Sequence, residues 1–194
     1  MNKGDIDKFV ASDGKIRLKG TIEADLGRIL EMEQGEENRL YVRQWSLQQH
    51  RTALTSSNQA HLTIFRAEDD RIVGYAILIG LDDPDGNLEF KRLVIDRKGD
   101  GYGRAAFRLV TKVAFERLET HRLWLEVMET NHRAFRLYGT EGYVLEGFHR
   151  ESYRQGENYT TLRVMSMLRR EYQRHRQIRH CREATNSSRF LSGC

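Results

Sequence analysis

Three glycines at alternate positions, Gly99, Gly101 and Gly103, stand in the segment RKGDGYGRAAF directly after the apolar run LVI. Glycine weakens a helix or strand by roughly 1 kcal/mol relative to alanine, so such a segment is expected to bring its backbone close to another group. The first N–H groups of a helix have no internal acceptor, and the helix dipole favours negative charge there. A strand, then glycines, then a helix therefore predicts a phosphate site. Three cations flank it: Arg97, Lys98 and Arg104.

Several ligands fit a glycine-rich loop. A nucleotide P-loop is excluded, because no Gly-Lys-Ser or Gly-Lys-Thr follows the spacer. Gly101, Gly103 and Ala106 do match the dinucleotide fingerprint G-x-G-x-x-A, and Glu126 follows about twenty residues later at a strand end. However, that fingerprint normally opens a domain, whereas about ninety residues precede it here, and too little chain follows to complete a dinucleotide fold. A tight turn without any ligand also stays open.

Two segments carry a resemblance to a known family. LVIDRKGDGYGRAAFRLV resembles the acyl-CoA-binding motif Arg/Gln-x-x-Gly-x-Gly/Ala of the GNAT superfamily of N-acetyltransferases, with Lys98 at the first position. Lysine keeps the charge of arginine but not its planar fork. LWLEVMETNHRAFRLYGTEGYVLEG resembles the family's strand–Asn–helix–LYxxxGF segment, with Glu141 at a usually apolar position and Gly139 inside the helix. The resemblance covers about residues 15–170 and is greatest to the ribosomal-protein and small-amine N-acetyltransferases.

The resemblance implies acetyl-CoA as co-substrate and no metal. The glycine loop would receive the pyrophosphate, Asn131 would bond the pantetheine arm, and a backbone N–H at Val94 or its neighbours would stabilise the oxyanion. His121, His132 and His149 show no metal-ligand spacing. The expected coenzyme-binding residues are Leu93, Val94, Ile95, Lys98, Gly99, Asp100, Gly101, Tyr102, Gly103, Arg104, Asn131 and Ala134.

Acetyl transfer to an amine has three chemical requirements. The amine, with a pKa of about 10.4, must become neutral, the oxyanion must be stabilised, and the leaving thiolate benefits from a proton. The resemblance implies that Tyr138 donates this proton, although a packing role stays open. Glu126 and Glu89 are candidate bases, and either could instead hold the cationic substrate, because a carboxylate deprotonates an amine poorly unless its pKa is raised or a water relays the proton.

The resemblance implies that the early helices and the late hairpin line the acceptor side. NRLYVRQW supplies Tyr41, Arg43 and Trp45, and the late hairpin supplies Tyr153. This set suits a peptide N-terminus, an amino acid or another small amine, and the sequence does not choose among them. Two other functions stay open, a dinucleotide-dependent oxidoreductase and a non-catalytic acyl-CoA-binding module. A homodimer is also left open.

Hydrophobic periodicity predicts the elements that position these residues. Their order is β-α-α-β-β-β-α-β-α-β-β, an α/β fold with a mixed, mostly antiparallel sheet of about six to seven strands and helices on both faces. Ser46 with Gln49 forms a capping box, Asn131 is a helix N-cap, and Gly142 ends that helix. IVGYAILI is apolar on both faces, which predicts a central strand.

Composition sets the class of protein. With 194 residues, 39% hydrophobic and 31% charged, the chain has the balance of a globular domain. No apolar run approaches the ~20 residues that span a bilayer, and the first residues lack a secretory signal, so a cytoplasmic protein without membrane contact is expected. The two cysteines, Cys181 and Cys194, make no disulfide framework.

Positive charge is concentrated at the C-terminal end. Seven arginines and two glutamates lie in residues 169–194 and give this segment a net charge of +5. The whole chain carries +4, so residues 1–168 have a net charge of about −1. The rest of the protein gives no general nucleic-acid signal, and contact with nucleic acid is expected only from this segment, if it is not simply solvated. The predicted domains are an N-terminal extension at 1–14, an acyltransferase domain at 15–170 and a basic tail at 171–194, dispensable for catalysis.

Overall fold

A single eight-stranded sheet organises the computed structural model, which describes residues 10–178. The strands are β1 (Val10–Ser12), β2 (Ile16–Gly20), β3 (Gln59–Arg66), β4 (Ile72–Ile79), β5 (Asn87–Ile95), β6 (Arg122–Met128), β7 (Val144–Gln155) and β8 (Asn158–Leu168). Their order in the sheet is β1-β2-β3-β4-β5-β6-β8-β7, and among these described strands only β5 and β6 run parallel. The mixed, mostly antiparallel α/β sheet is confirmed, and the strand beyond the predicted number is β1.

The helices fill the long connections between strands. A 3₁₀ turn, Glu23–Asp25, leads into the first of them. Within residues 10–178, no helix combines the length and apolar character needed to cross a membrane. The helices are α1 (Leu26–Gln34), α2 (Glu36–Arg39), α3 (Leu47–Thr55), α4 (Tyr102–Arg117), α5 (His132–Thr140) and α6 (residues 169–178).

Local capping residues fix the helix ends as predicted. The Ser46 hydroxyl accepts from the N–H of Gln49, whose side chain accepts from the N–H of Ser46 in return. The Asn131 side chain accepts from the N–H of Ala134 at 3.1 Å and begins α5. Gly142, with a φ of +94°, follows the end of α5 in the left-handed conformation that glycine adopts readily.

The sheet is covered on both faces, with β4 at its centre. Ala76 and Leu78 pack in a large core beneath α4, while Tyr75 and Ile77 pack in a smaller core beneath α1. Both faces of β4 are therefore buried, as its continuous apolar sequence predicts. The protein thus has two distinct sides, and the strands next to β4 can present different residues to each.

A bulge and an opening interrupt the sheet at β5. Ile77 pairs with Arg92 and Leu78 pairs with Phe90, which leaves Lys91 as an extra residue. Phe90 consequently faces α4, where it stacks on Phe107 at 5.4 Å, whereas Arg92 faces α1. On its other edge, β5 pairs with β6 only over Asn87–Glu89. Beyond Glu89 the two strands part and open the middle of the sheet.

The first residues of the predicted basic tail are helical. In α6, the ring of Tyr172 stacks on Phe115 at 4.8 Å, and its hydroxyl donates to Glu116 at 2.7 Å. Arg176 forms an ion pair with the same carboxylate at 3.0 Å. These contacts tie α6 to α4, so the prediction of a dispensable tail applies best after residue 178. Cys181 and Cys194 lie outside the described residues.

Gly74 allows β4 and β5 to lie close together. A Cβ at this position would come within 2.4 Å of the Val94 carbonyl oxygen, so we expect Gly74→Ala to lower the free energy of unfolding by roughly 1–3 kcal/mol through overpacking. Gly147→Ala on β7 is the matched control, because a Cβ there meets nothing within 4 Å. Urea unfolding of both variants checks this, and equal midpoints would contradict the expected crowding.

Candidate active site

A cleft of about 1330 Å³ opens where β5 and β6 part, larger than the ~300–1,000 Å³ of most small-molecule sites. It brings together sixteen of the nineteen residues singled out from the sequence. The other three, Val94, Asp100 and Tyr102, do not line it. The sixteen are Tyr41, Arg43, Trp45, Glu89, Leu93, Ile95, Lys98, Gly99, Gly101, Gly103, Arg104, Glu126, Asn131, Ala134, Tyr138 and Tyr153.

The cleft passes through the sheet and has two sides. Leu88, Leu123 and Leu125 pack toward α4, so the alternating residues Glu89 and Glu126 project from the opposite face. We call the first the α4 side; it holds the glycine loop (residues 97–104) and α5. We call the second the α1 side; it holds Glu89, Arg92, Glu126 and the segment between α2 and α3. Two ligands entering from opposite sides would meet in the opening.

The glycine loop presents a row of backbone donors. Within the described part of the chain, no N–H of residues 97–104 donates to an acceptor. Gly99 and Gly101 have φ values of +105° and +78°, in the left-handed region that favours glycine. Arg104 lies beside these groups and pairs with the buried Glu141 at 2.9 Å. Such a cluster of free donors at the start of a 16-residue helix suits an anion.

Lys98 anchors the loop. Its ammonium donates to the Asn38 side chain and, at 2.6 Å, to the Ile95 carbonyl oxygen. Burial lowers the pKa of Lys98 from its ordinary value. The Asn38 amide also donates to the carbonyl oxygens of Met32 and Ile95. Lys98 and Asn38 therefore connect α1, β5 and the loop, and Asn38 was not foreseen from the sequence.

The ladder between β4 and β5 decides which N–H groups face the opening. The N–H of Asp96 donates to the Val73 carbonyl at 2.9 Å. In an antiparallel ladder such pairs recur at every second residue, so the N–H of Val94 belongs to Tyr75 of β4. The N–H groups of Leu93 and Ile95 face the opening instead. Of Val94 and its neighbours, Leu93 and Ile95 therefore have N–H groups directed toward the opening, and Val94 does not.

Tyr138 lies on the α4 side, where its ring stacks on Phe107 at 4.7 Å. Burial raises the pKa of Tyr138 to about 12, so the phenol is protonated at neutral pH. Its hydroxyl has no partner among residues 10–178, and the residue lines the cleft together with Asn131 and Ala134. The position is suited to donating a hydrogen bond to a group in the opening.

Each candidate base already has a side-chain partner. Glu89 accepts from Lys91 at 3.0 Å, and Glu126 pairs with Nδ1 of His149 at 2.6 Å. The sequence analysis considered His149 only as a metal ligand, and nothing local links it to Glu126. The pairing arises because β8 lies between β6 and β7, which brings β7 within reach of β6.

Glu33 organises the α1 side from below. This fully buried carboxylate accepts from the Tyr75 hydroxyl, from Nη1 of Arg92 and, at 2.9 Å, from the N–H of Trp45. Nε2 of His50 lies 3.3 Å away, off the ideal hydrogen-bond direction. Burial alone would raise the pKa of Glu33, but these hydrogen bonds and the charge of Arg92 outweigh it and lower the pKa. Glu33 is therefore ionised at neutral pH.

A chain of polar contacts continues from Glu33 through the protein. Nδ1 of His50 contacts Nε2 of His61 at 3.0 Å, and Nδ1 of His61 contacts the Thr21 hydroxyl at 2.8 Å. The Thr21 hydroxyl contacts that of Thr63 at 2.8 Å, and Thr63 donates to Asp25 at 2.8 Å. With the Glu33–His50 contact, five contacts run between two carboxylates.

The side chains of this chain can supply every hydrogen bond between His50 and Asp25. Two imidazoles and two hydroxyls each carry a donor, and the Asp25 carboxylate accepts at the end. The contact between Glu33 and Nε2 of His50 is not one of these hydrogen bonds, so the row meets the Glu33 cluster by proximity.

The sequence contained a sign of Glu33 but none of Arg92. Glu33 lies four residues after Ile29, on the apolar face of α1, where a carboxylate is out of place unless it is paired. Arg92 gave no such signal, because regular alternation along β5 would have placed it beneath α4. The bulge at Lys91 turns the Arg92 side chain to the α1 side instead. A bulge is defined by pairing with the neighbouring strand, so the sequence of β5 alone does not reveal it.

The comparisons with known proteins agree with this geometry. The family model of the GNAT acetyltransferase domain matches residues 15–144. The chain belongs to the GNAT acetyltransferase family. Among the described residues of this GNAT protein, no three His, Cys, Asp or Glu side chains converge as metal ligands.

The similar proteins either match only part of this GNAT protein or share little sequence identity with it. An uncharacterized N-acetyltransferase of Mycobacterium tuberculosis is 37% identical over 94 residues, which span 48% of this chain and 58% of that protein. A probable N-acetyltransferase of Bacillus subtilis, YjcK, is 27% identical over 122 residues, 62% of this chain and 67% of its own. A solved spermidine N-acetyltransferase of Vibrio cholerae, in complex with CoA and spermine, superimposes with a TM-score of 0.74 at 20% identity, covering 82% and 99% of the two chains.

Glu33 should stabilise this GNAT domain strongly, because Arg92 would otherwise be a buried, unpaired cation. We expect Glu33→Gln to lower the free energy of unfolding at pH 7 by roughly 3–5 kcal/mol. Glu31→Gln, on the exposed side of the same helix, is the control and should change it by under about 0.5 kcal/mol.

The pH dependence follows from the lowered pKa of Glu33. Ionised Glu33 contributes its full stabilisation above the unfolded-state pKa of about 4.3, and this is lost as the pH falls through the lower folded-state pKa. The difference between the parent and Glu33→Gln should therefore shrink with acidification below about pH 4. A difference that stays constant down to pH 3 would show that the carboxylate charge is not responsible.

Proposed function

We propose that this GNAT protein transfers an acetyl group from acetyl-CoA to a primary amine. The observation that carries the proposal is the opening between β5 and β6, which joins the free N–H groups of residues 97–104 on one side to an aromatic and charged wall on the other. A thioester held in the opening would be reachable from the α1 side. An amine there would attack the thioester carbon as the C–S bond breaks, giving an amide and the CoA thiol.

The α4 side fits coenzyme A. The free N–H groups of the glycine loop suit the pyrophosphate, and Arg97, Arg133 and Arg136 line the same part of the cleft. The Asn131 oxygen caps α5, which leaves its amide N–H groups for the pantetheine arm. The N–H groups of Leu93 and Ile95 face the opening, where a β-strand-like pantetheine could accept from them.

Two groups would stabilise the reaction's charges. The N–H of Leu93 would donate to the carbonyl oxygen that becomes the oxyanion. Tyr138 would donate a hydrogen bond to the departing sulfur. With a pKa of about 12, complete proton transfer to a thiolate whose conjugate acid has a pKa near 8.5 is uphill by about 5 kcal/mol. Tyr138 is therefore better suited to stabilise the thiolate than to protonate it fully.

Glu126 and His149 form the better-placed base. A neutral imidazole can take the proton that the amine loses, directly or through water, and Glu126 stabilises the resulting imidazolium. Glu89 is the second candidate, and its charge is partly neutralised by Lys91. Proton balance is met because the ammonium gives up one proton to solvent as it becomes neutral and a second as the amide forms, and the thiolate finally gains one.

The competing functions fit less well. A dinucleotide fold needs a largely parallel sheet, whereas β5 and β6 are the one parallel pair within residues 10–178. A non-catalytic acyl-CoA-binding module would need no second wall of Glu89, Glu126, Trp45 and Tyr153. The Vibrio cholerae neighbour is named as a spermidine N-acetyltransferase, which agrees with an amine acceptor. At 20% sequence identity, however, the similarity shows a shared fold and not a shared substrate. A cytoplasmic location and a homodimer stay predictions.

Gly103 tests coenzyme binding without straining the backbone. A Cβ at Gly103 would lie at an ordinary 3.6 Å from Ile95, whereas Gly101, at a φ of +78°, would be strained by any side chain. We expect Gly103→Val to weaken acetyl-CoA binding at least tenfold, because the side chain occupies the space a phosphate must enter. Calorimetric titration measures this, with Gly139→Val in α5 as a control of unchanged affinity. Undiminished affinity in a folded Gly103→Val would remove the loop from the coenzyme site.

Tyr138→Phe tests the leaving-group role. We expect turnover to fall roughly 10²-fold while acetyl-CoA affinity changes little, because only the hydroxyl is lost. Tyr143→Phe is the matched control: that phenol bonds Thr111 in the same core and does not line the cleft. Single-turnover kinetics isolate the chemical step. If Tyr138→Phe retains more than half the parent rate there, Tyr138 serves packing alone.

A further inference from the structure

Arg92 offers unused hydrogen-bond donors to the cleft. The residue is only 9% exposed, and it lines the cleft on the α1 side. Nη1 donates to Glu33 and, at 3.2 Å, contacts the Tyr75 hydroxyl oxygen. Neither Nε nor Nη2 has an acceptor in the part of the chain that the structure describes. A guanidinium nine-tenths buried with its second edge unpaired is poorly satisfied by the protein alone.

The guanidinium is also held rigidly. The Trp45 ring stacks on it at 4.4 Å, and the Trp45 N–H is itself fixed by Glu33. Because residues of α1, β5 and the segment before α3 all hold this side chain in place, Arg92 loses little conformational entropy when it binds a ligand. The free edge, Nε with Nη2, is one of the planar forks that match a carboxylate with two parallel hydrogen bonds.

The charges around Arg92 do not favour a polycation. Each carboxylate on the α1 side has a positive or hydrogen-bonding partner: Glu89 has Lys91, Glu126 has His149, and Glu33 has Arg92. Arg43, in contrast, stacks on the Tyr153 ring at 4.7 Å and has no carboxylate partner among the described residues. Glu37 lies toward Lys98, at the coenzyme end. The remaining charge at the acceptor end is positive.

Building on the proposed acetyl transfer, we infer that the acceptor amine carries a carboxylate, which binds the free edge of Arg92. Arg92 directly precedes Leu93, the proposed oxyanion donor, and both belong to the part of β5 that no longer pairs with β6. One small molecule can therefore place its amine at the opening and its carboxylate on Arg92. Free amino acids have this chemistry, and polyamines do not.

Matched pairs of amines test the inference. L-lysine with cadaverine, L-ornithine with putrescine, and L-phenylalanine with 2-phenylethylamine differ only in the α-carboxylate; spermidine is added as a polycation. CoA thiol release gives kcat/KM for each compound. We expect at least one amino acid to be used better than its decarboxylated partner, and Arg92→Met to reduce that ratio ten- to a hundredfold. Comparing ratios cancels the differing basicity of the amines.

Two further variants keep the test decisive. Arg92→Met leaves Glu33 without its counter-charge, so the Glu33→Gln, Arg92→Met double variant removes both charges together if the single variant fails to fold. Arg39→Met, an exposed arginine outside the cleft, makes the same change in net charge and should leave the ratio unchanged.

The outcomes separate the two proposals. If no amine releases thiol from a chain that binds acetyl-CoA, the proposed function fails. If amines are acetylated but the decarboxylated partners or spermidine are preferred, the carboxylate site is wrong and the acetyl transfer stands. The same conclusion follows if removing Arg92 leaves the ratio unchanged.

Discussion

The parting of β5 and β6 is the constraint on which the rest of the site depends. Strands in the middle of a sheet normally satisfy each other's N–H and C=O groups, and unpaired buried groups are costly. Beyond Glu89 these groups need other partners. Asn38 and Lys98 take the carbonyl oxygen of Ile95, which fastens the glycine loop to the open edge. The N–H groups that remain face the opening, where a substrate can satisfy them.

The bulge at Lys91 gives the two sides of the cleft their different chemistry. With regular alternation, Phe90 and Arg92 would face the same side. The extra residue sends Phe90 into the apolar core beneath α4 and Arg92 to the carboxylate of Glu33. One strand thereby supports a mainly apolar wall around Tyr138 and a charged wall around Trp45. Neither wall could be built from β5 without this change of register.

Local patterns in the sequence were sufficient for the fold and for the loop and helix caps on the α4 side of the cleft. The glycine loop, the Asn131 cap and the Ser46 capping box depend on neighbours within a few residues, so spacing alone reveals them. The pairing of Glu126 with His149 and that of Glu33 with Arg92 join residues 23 and 59 positions apart. They depend on strand order and on a bulge, which no local pattern encodes. For that reason Arg92 escaped prediction, although Glu33 on the apolar face of α1 was a visible sign.

The charge of Arg92 is balanced from within the protein. Glu33 brings one negative charge into the interior and Arg92 brings one positive charge, so the buried pair is neutral as a whole. In a medium of low dielectric constant, a neutral pair is tolerated where an isolated charge is not. The carboxylate on α1 is therefore what allows a guanidinium to stand on β5 at the wall of the cleft.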